Sequence, residues 1–441
     1  MSKLTITYGA TTINLNDRVN HILMEGYFPE VTTDLEEHVS ETCKVQLRGN
    51  VSDLVRAINR AFTLARSSNE SLNHVYINYA PGDSEAPWRS RIYDGAVIVD
   101  KSLGRAYPRS RLAVDISFER DPFWEGPEES IPLSNLNGTN QTGSLNVFSC
   151  NDLTGTAPSR LCNYMDIAAG VIKGDLETPI KLELKNLYPQ ALGTVWVGLN
   201  KTNPATARWL YEAESANGVT ATTATGASGG KIVKGTATDA SPLASLTWTL
   251  SAAELSAFAG QRVRFLARTH YMGAYSVFRY KLLLRSANIT LFETDFIRES
   301  EEYARAWLEL FDLRLPPWLE GLSNLLSIDM TLQMQLARAG SWPWAIDDIM
   351  LIPADSFIQV LSFVNQNERL VLDGIKGNYY KDNGAGIGRI GARKVIGGPL
   401  MLSPGLAQRL YLIQHGVQMD MAAPGMVVSA AAKYRPRRMS L

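Results

Sequence analysis

FERDPFWEGPE, residues 118–128, is where the chain changes character. The run that enters it, RLAVDISFER, alternates Leu112, Val114, Ile116 and Phe118 with Arg111, Ala113, Asp115, Ser117 and Glu119. Alternation with a period of two gives a strand with one buried and one wet face. Asp121 and Pro122 then stop it, because proline has no N–H for a ladder and biases the residue before it toward extended geometry. Two aromatics, Phe123 and Trp124, a glycine and a second proline follow. Such a corner suits a catalytic loop, a sugar-stacking platform or a junction between modules. Composition favours the junction. Patterned strands precede the corner, and PEESIPLSNLNGTNQTGS, rich in Asn, Gly, Ser and Thr, follows it. Asp121, Pro122, Phe123 and Trp124 are therefore expected to form an interdomain corner, a hinge point whose two aromatics fix the angle between neighbouring domains.

Upstream, residues 1–125 read as one α+β unit. KLTITYG and TINL have the alternation of a strand pair, and NHVYINYA and YDGAVIVD add further strands. Between them, Val51, Leu54, Val55, Ile58, Phe62 and Ala65 follow helical spacing, with Asn50 or Ser52 as cap and Asp53 in the first turn. One helix beside an antiparallel sheet makes a two-layer domain. Downstream, 126–204 holds too few strands to close a sandwich (TPIKLELKNL and GTVWVGLN are the clearest), and 357–441 is again an incomplete set. The segment 205–356 supplies a full complement of short strands separated by turn signals, the pattern of a jelly roll. The economical reading is one sandwich built from 126–204 and 357–441 and interrupted by the jelly roll at 205–356. Insertion at a loop tip costs little when the ends lie close together. The fold class is mainly β.

Lys+Arg total 43 against Asp+Glu 44, a formal net charge of -1, so no global positive field draws nucleic acid to the chain. The N-terminus has no apolar run after a basic start, so no secretory signal is expected. No stretch approaches the length of a membrane-spanning helix. Cys43, Cys150 and Cys162 form no CxxC, and pairing of Cys150 with Cys162 stays open beside free buried thiols. The five histidines show no metal-binding spacing. The glycine run GAGIGRIGAR, residues 384–393, lacks the strand–turn–helix context of a phosphate loop.

Taken in order, several of these features resemble distal tail and related minor tail proteins of long-tailed, siphovirus-like bacteriophages. The first unit, with its strands, one amphipathic helix and a final strand ending at Asp121-Pro122-Phe123-Trp124, is similar to the family's ring-forming domain. GDLETPIKLEL, from Gly174 to Leu184, resembles the opening of its galectin-like second sandwich. LSPGLAQRLYLI, from Leu402 to Ile413, and KYRPRR, from Lys433 to Arg438, look like that sandwich's closing strands. The inserted unit resembles carbohydrate-binding modules through YEAES at its start and IDDIMLIP at its end. The resemblance implies a structural virion protein of the tail tip or baseplate. It would be made in the host cytoplasm and form a homo-hexameric ring between the tail tube protein and the tip hub or fibre proteins. Helix 51–66 and the strands near 91–120 are the candidate ring contacts. It also implies a structural calcium in the jelly roll, held by Glu212 or Glu214 and by Asp347, since calcium takes oxygen ligands of this kind.

Trp342, Trp344 and Tyr275, with Trp318 nearby, are candidate contacts to host-surface carbohydrate, because exposed aromatics stack on sugar faces. Their alternative is packing at the sandwich edge. The basic tail Lys433, Arg435, Arg437 and Arg438 either meets an acidic surface or is an ordinary solvated terminus. Catalysis finds little support, since no Cys–His pairing is suggested, although paired carboxylates for glycoside cleavage need only proximity in space. An enzyme is not expected. A dedicated carbohydrate-binding recognition protein is the alternative to a ring-forming scaffold, and a glycoside-active enzyme the weaker one.

Overall fold

The computed structural model describes residues 3–17, 19–24, 26–31, 35, 37–67, 74–82, 85–99, 111–140, 145–148, 160–201, 209–224, 227–238, 244–272, 278–287, 289–298, 307–324, 328–336, 339–415 and 427–441. The protein is mainly β, and its strands gather into three units. Alternating sequence explains the first. Along Arg111–Arg120 the apolar positions face inward, and all ten residues pair in unbroken register with Val39–Arg48. The sheet runs, from edge to edge, Thr11–Asn14, Lys3–Tyr8, Val75–Ala80, Trp88–Val99, Arg111–Arg120, Val39–Arg48 and His21–Leu23.

Helix Val51–Ser67 covers one face of this sheet with Ile58, Ala61, Phe62 and Ala65. Asn50 caps it, its side-chain oxygen accepting from the Asp53 N–H at 3.4 Å. Close approach of helix and sheet requires glycine at residue 95. A Cβ there would lie 2.5 Å from the Phe62 ring. Near the corner Arg120 is fully buried and pairs with Glu41 at 2.5 Å, and Glu41 also accepts from the Tyr27 hydroxyl. This pair tethers the segment 27–30 to the sheet, with the Glu30 carbonyl accepting from Arg120 at 2.9 Å.

The second unit is a β-sandwich whose sheets interleave strands from both sides of an insertion. Leu192–Asn200 lies between Gln408–His415 and Phe357–Val364, and Lys181–Asn186 lies between Val427–Tyr434 and Arg369–Asp373. Leu182, Leu184, Val195, Val197, Leu370, Leu410 and Leu412 are among the residues of its core.

The third unit is the inserted one. Its main strands in chain order are Lys231–Thr238, Ala244–Leu250, Arg262–Met272, Phe278–Ser286, Ile289–Glu293, Trp307–Arg314, Ile328–Leu336 and Ser341–Pro353. One sheet takes the first, last, third and sixth of these, and the facing sheet takes the second, seventh, fourth and fifth. That is the order of a jelly roll with two Greek keys. A buried aromatic seam joins it to the outer sandwich. Trp209, Met350 and Ile352 from the jelly-roll side meet Tyr164, Trp196 and Tyr411.

KYRPRR differs from its expected place. Lys433 and Tyr434 belong to the outer sandwich, but Arg437–Arg438 crosses to the first sheet and pairs with Trp124–Glu125. The glycine run at 384–393 forms an exposed hairpin, Asn378–Asp382 with Ile387–Arg389, and no α-helix follows it. No helix among the described residues is long and apolar enough to cross a membrane.

Candidate functional site

The corner at 121–126 is a closed junction. Asp121 receives the Tyr93 hydroxyl at 2.8 Å, and its carbonyl accepts from Ser90 and Arg120. Burial raises its carboxyl above the ordinary range, partly offset by the Tyr93 hydrogen bond. Pro122 is buried. Trp124 is fully buried in the first domain's core, packs near Tyr79 and lies under the Arg120 guanidinium at 4.6 Å. Phe123 is half-buried and is covered by the Arg437 guanidinium at 4.2 Å.

Two arginines that are far apart in sequence hold Glu125. Arg89 donates to one carboxylate oxygen at 3.2 and 2.9 Å, and Arg437 donates to the other at 3.1 and 2.8 Å. Hydrogen bonds between ionised partners are the strong, charge-assisted kind. The backbone closes the ring, with Gly126 N–H donating to Pro436 O at 2.8 Å and Arg435 donating to Gly126 O at 2.8 Å. Lys433 pairs with Glu128 at 3.2 Å, and Arg438 covers Trp88 at 4.8 Å. Lys433, Arg435 and Arg437 are therefore engaged within the chain, while Arg438 stays exposed. The basic tail folds back and latches the corner. A hinge held by two aromatics alone is corrected accordingly: Trp124 serves the first domain's core, and the C-terminal arginines make the junction.

The jelly roll carries a second cluster. Glu212 lies opposite Asp348 across the Leu210–Glu212 and Ser341–Pro353 ladder. In a regular strand Asp347 would face away from Asp348. The register with Arg262–Met272 slips between Arg268 and Thr269, so that Asp347 has no opposite residue. Such a bulge re-aims side chains, and Glu212, Asp347 and Asp348 place carboxylate oxygens within 4.8 Å of one another. Both aspartates are fully buried.

Arg268 pairs with Asp347 at 2.9 Å, and the Ser228 N–H donates to both Asp347 oxygens, at 2.9 and 3.1 Å. The Ser228 hydroxyl donates to Glu212 at 2.6 Å. Neither Asp348 oxygen has a hydrogen-bond partner. Desolvation pushes the Asp347 carboxyl up to about 7 against the pull of Arg268, and burial together with Asp347 pushes Asp348 up strongly. Asp348 joins Glu212 and Asp347, while Glu214 stands beside them, against Gly229, where a Cβ would lie 2.9 Å from its carboxylate. Gly226 to Gly230 has GxSxG spacing, yet Ser228 is buried and bonded to carboxylates, and a strand follows it in place of a helix.

Trp344 falls out of the expected sugar platform. Trp344 is buried in the jelly-roll core over Gly235, and Trp342 is half-buried against that core. Trp318 stays exposed, and Tyr275 lies outside the described residues. Cys43 and Cys162 are buried thiols, and Cys150 lies outside the described residues.

No family model matches the chain, and no curated protein matches it. Among solved structures, a chain of the phage P2 baseplate in its activated conformation with Ca aligns over 99% of this chain and 98% of its own, at 9% identity and TM-score 0.29. An exo-beta-1,3-galactanase from Phanerochaete chrysosporium aligns over 71% of this chain and 82% of its own, at 10% identity and TM-score 0.21. A chain of infectious bursal disease virus, Gt strain, aligns over 71% and 81%, at 10% identity and TM-score 0.19. Likenesses at these scores carry no argument about what the chain does.

Proposed function

We propose that this chain is a non-catalytic structural virion protein of a phage tail tip. Its first domain assembles into a hexameric ring between the tail tube protein and the tip hub or fibre proteins, and the two sandwiches project outward toward the host surface. The observation that carries the reading is an apolar edge on the first domain. His21–Leu23 is the end strand of its sheet, and the segment around it exposes Val19 at 67%, Phe28 at 80% and Val31 at 64%, with Met24 and Leu35 also exposed. Ile98 and Val99 add an exposed apolar pair on the hairpin strand Trp88–Val99.

Exposed edges and apolar patches of this kind belong at contacts. A single such edge meeting a different surface of the next copy is a heterologous contact, which makes a ring when the rotation between copies closes and an open filament when it does not. The apolar stripe of helix Val51–Ser67 is buried inside the domain, so the proposal rests on this edge. Phe28→Asp tests the reading. Negative-stain images should show rings of the parent protein and single particles of the variant. Rings unaffected by Phe28→Asp together with Val31→Asp would refute this edge as the contact.

Calcium in the jelly roll is a second proposal, favoured by the buried, unpartnered carboxylate of Asp348. Glu212, Asp347 and Asp348 supply an all-oxygen donor set suited to a hard divalent cation. The ion would staple strand Leu210–Glu212 to the last jelly-roll strand, Ser341–Pro353.

A further inference from the structure

A cleft of about 610 Å³ opens where the jelly roll meets the outer sandwich. That volume lies inside the range of small-molecule sites, about 300–1,000 Å³. Its apolar wall is Leu199, Pro353 and Phe357. The Phe357 ring is held in place, stacked on Trp196 with centroids 5.9 Å apart and covered by the Arg264 guanidinium at 4.6 Å. The polar wall is Glu177, Lys201, Gln261 and Asp355. One Glu177 oxygen takes the Lys201 ammonium at 2.5 Å and the Ser403 hydroxyl at 2.7 Å. Asp355 takes the Arg262 N–H at 3.1 Å and pairs with Arg314 at 3.5 Å. A carboxylate has about four acceptor positions, so both retain capacity toward the cleft. Gly397, Gly398, Pro399 and Met401 line the remaining side. At Gly397, with φ +90°, a Cβ would fall 2.1 Å from the Phe357 carbonyl oxygen, so only glycine lets this wall close on the aromatic.

The mixture selects a ligand class. Lys201 pairs with Glu177 and Arg314 with Asp355, so the polar wall carries balanced charge and favours neither an anion nor a cation. A wholly apolar ligand would leave the polar wall unpaired. What fits is a molecule with many hydroxyls and an apolar C–H surface. We propose that this cleft binds a neutral saccharide unit, with Glu177 and Asp355 accepting its hydroxyls and Phe357 backing its apolar side.

The proposal deepens the outward-facing half of the tail-tip reading, but its test uses the isolated chain. Loss of sugar binding therefore leaves ring formation standing, and the reverse also holds. Saturation-transfer NMR with galactose, glucose, N-acetylglucosamine and rhamnose, followed by titration calorimetry, makes the test. At least one of these sugars should bind. Glu177→Gln and Asp355→Asn should each weaken it by about tenfold or more, the loss expected for a hydrogen bond to a charged group. Both variants should keep the parent melting temperature, and Trp342→Ala should bind as the parent does. No transfer to any of the four sugars, or binding that survives both substitutions, overturns the proposal.

Discussion

Arg437→Ala should uncouple the first domain from the outer sandwich. In the native junction Arg437 makes two hydrogen bonds to Glu125, at 3.1 and 2.8 Å, and covers Phe123 at 4.2 Å. Its side chain is 17% exposed and that of Glu125 9%, so solvent screens the pair little. Hydrogen bonds to charged groups contribute about 1.5–3 kcal/mol, and a half-covered cation–π contact about 0.5–1 kcal/mol. Breaking a buried ion pair outright costs about 3–5 kcal/mol because a charge is left alone. Glu125 keeps Arg89, at 2.9 Å, so the full penalty does not apply. The expected loss is about 2 kcal/mol. Urea unfolding followed by tryptophan emission reads it, since Trp88 and Trp124 both border the junction. The midpoint should fall at nearly constant slope. A double-mutant cycle with Glu125→Gln should return a coupling of about 1–2 kcal/mol. A loss below about 0.5 kcal/mol, the scale of an exposed surface pair, would refute a latch.

Two further outcomes follow from the same geometry. Trp124→Ala should cost about 3–5 kcal/mol by leaving a cavity in the first domain's core, whereas Phe123→Ala, half-buried at the surface, should cost much less; equal losses in thermal unfolding would contradict the division of roles. The acidic cluster has a signed pH dependence. With the folded Asp347 carboxyl at about 7 against 3.8, the folded state keeps its proton while the unfolded state loses it, so the metal-free jelly roll is favoured at acid pH and loses on the order of a few kcal/mol between pH 4 and 7. Calcium needs the ionised carboxylates, so its stabilising effect should grow over the same interval and shrink in Asp348→Asn. A melting temperature indifferent to calcium against chelator at neutral pH would remove the metal.

Local pattern explains why parts of this molecule were readable in advance. The strand Arg111–Arg120 and the helix Val51–Ser67 each show the period of their secondary structure, because each buries one face. The class of the fold follows from many such strands. What was not legible depends on partners far away in the chain. Arg437 meets Glu125 across 312 residues, and nothing local in KYRPRR separates a latch from a solvated tail. Trp344 looks like a free platform until Gly235, opposite it in the sheet, provides the gap its indole fills. Asp347 and Asp348 are adjacent in sequence, yet strand alternation sends neighbours to opposite faces, and only a register slip beside Arg268 brings both carboxylates together.

The central claim is a ring, and its most direct measurement is the mass in solution. Size-exclusion chromatography with light scattering, run over rising protein concentration, should converge on six times the chain mass of 48.6 kDa. A particle of 48.6 kDa that persists at the highest concentration reached, with no ring containing this chain in images of the virion, would contradict it.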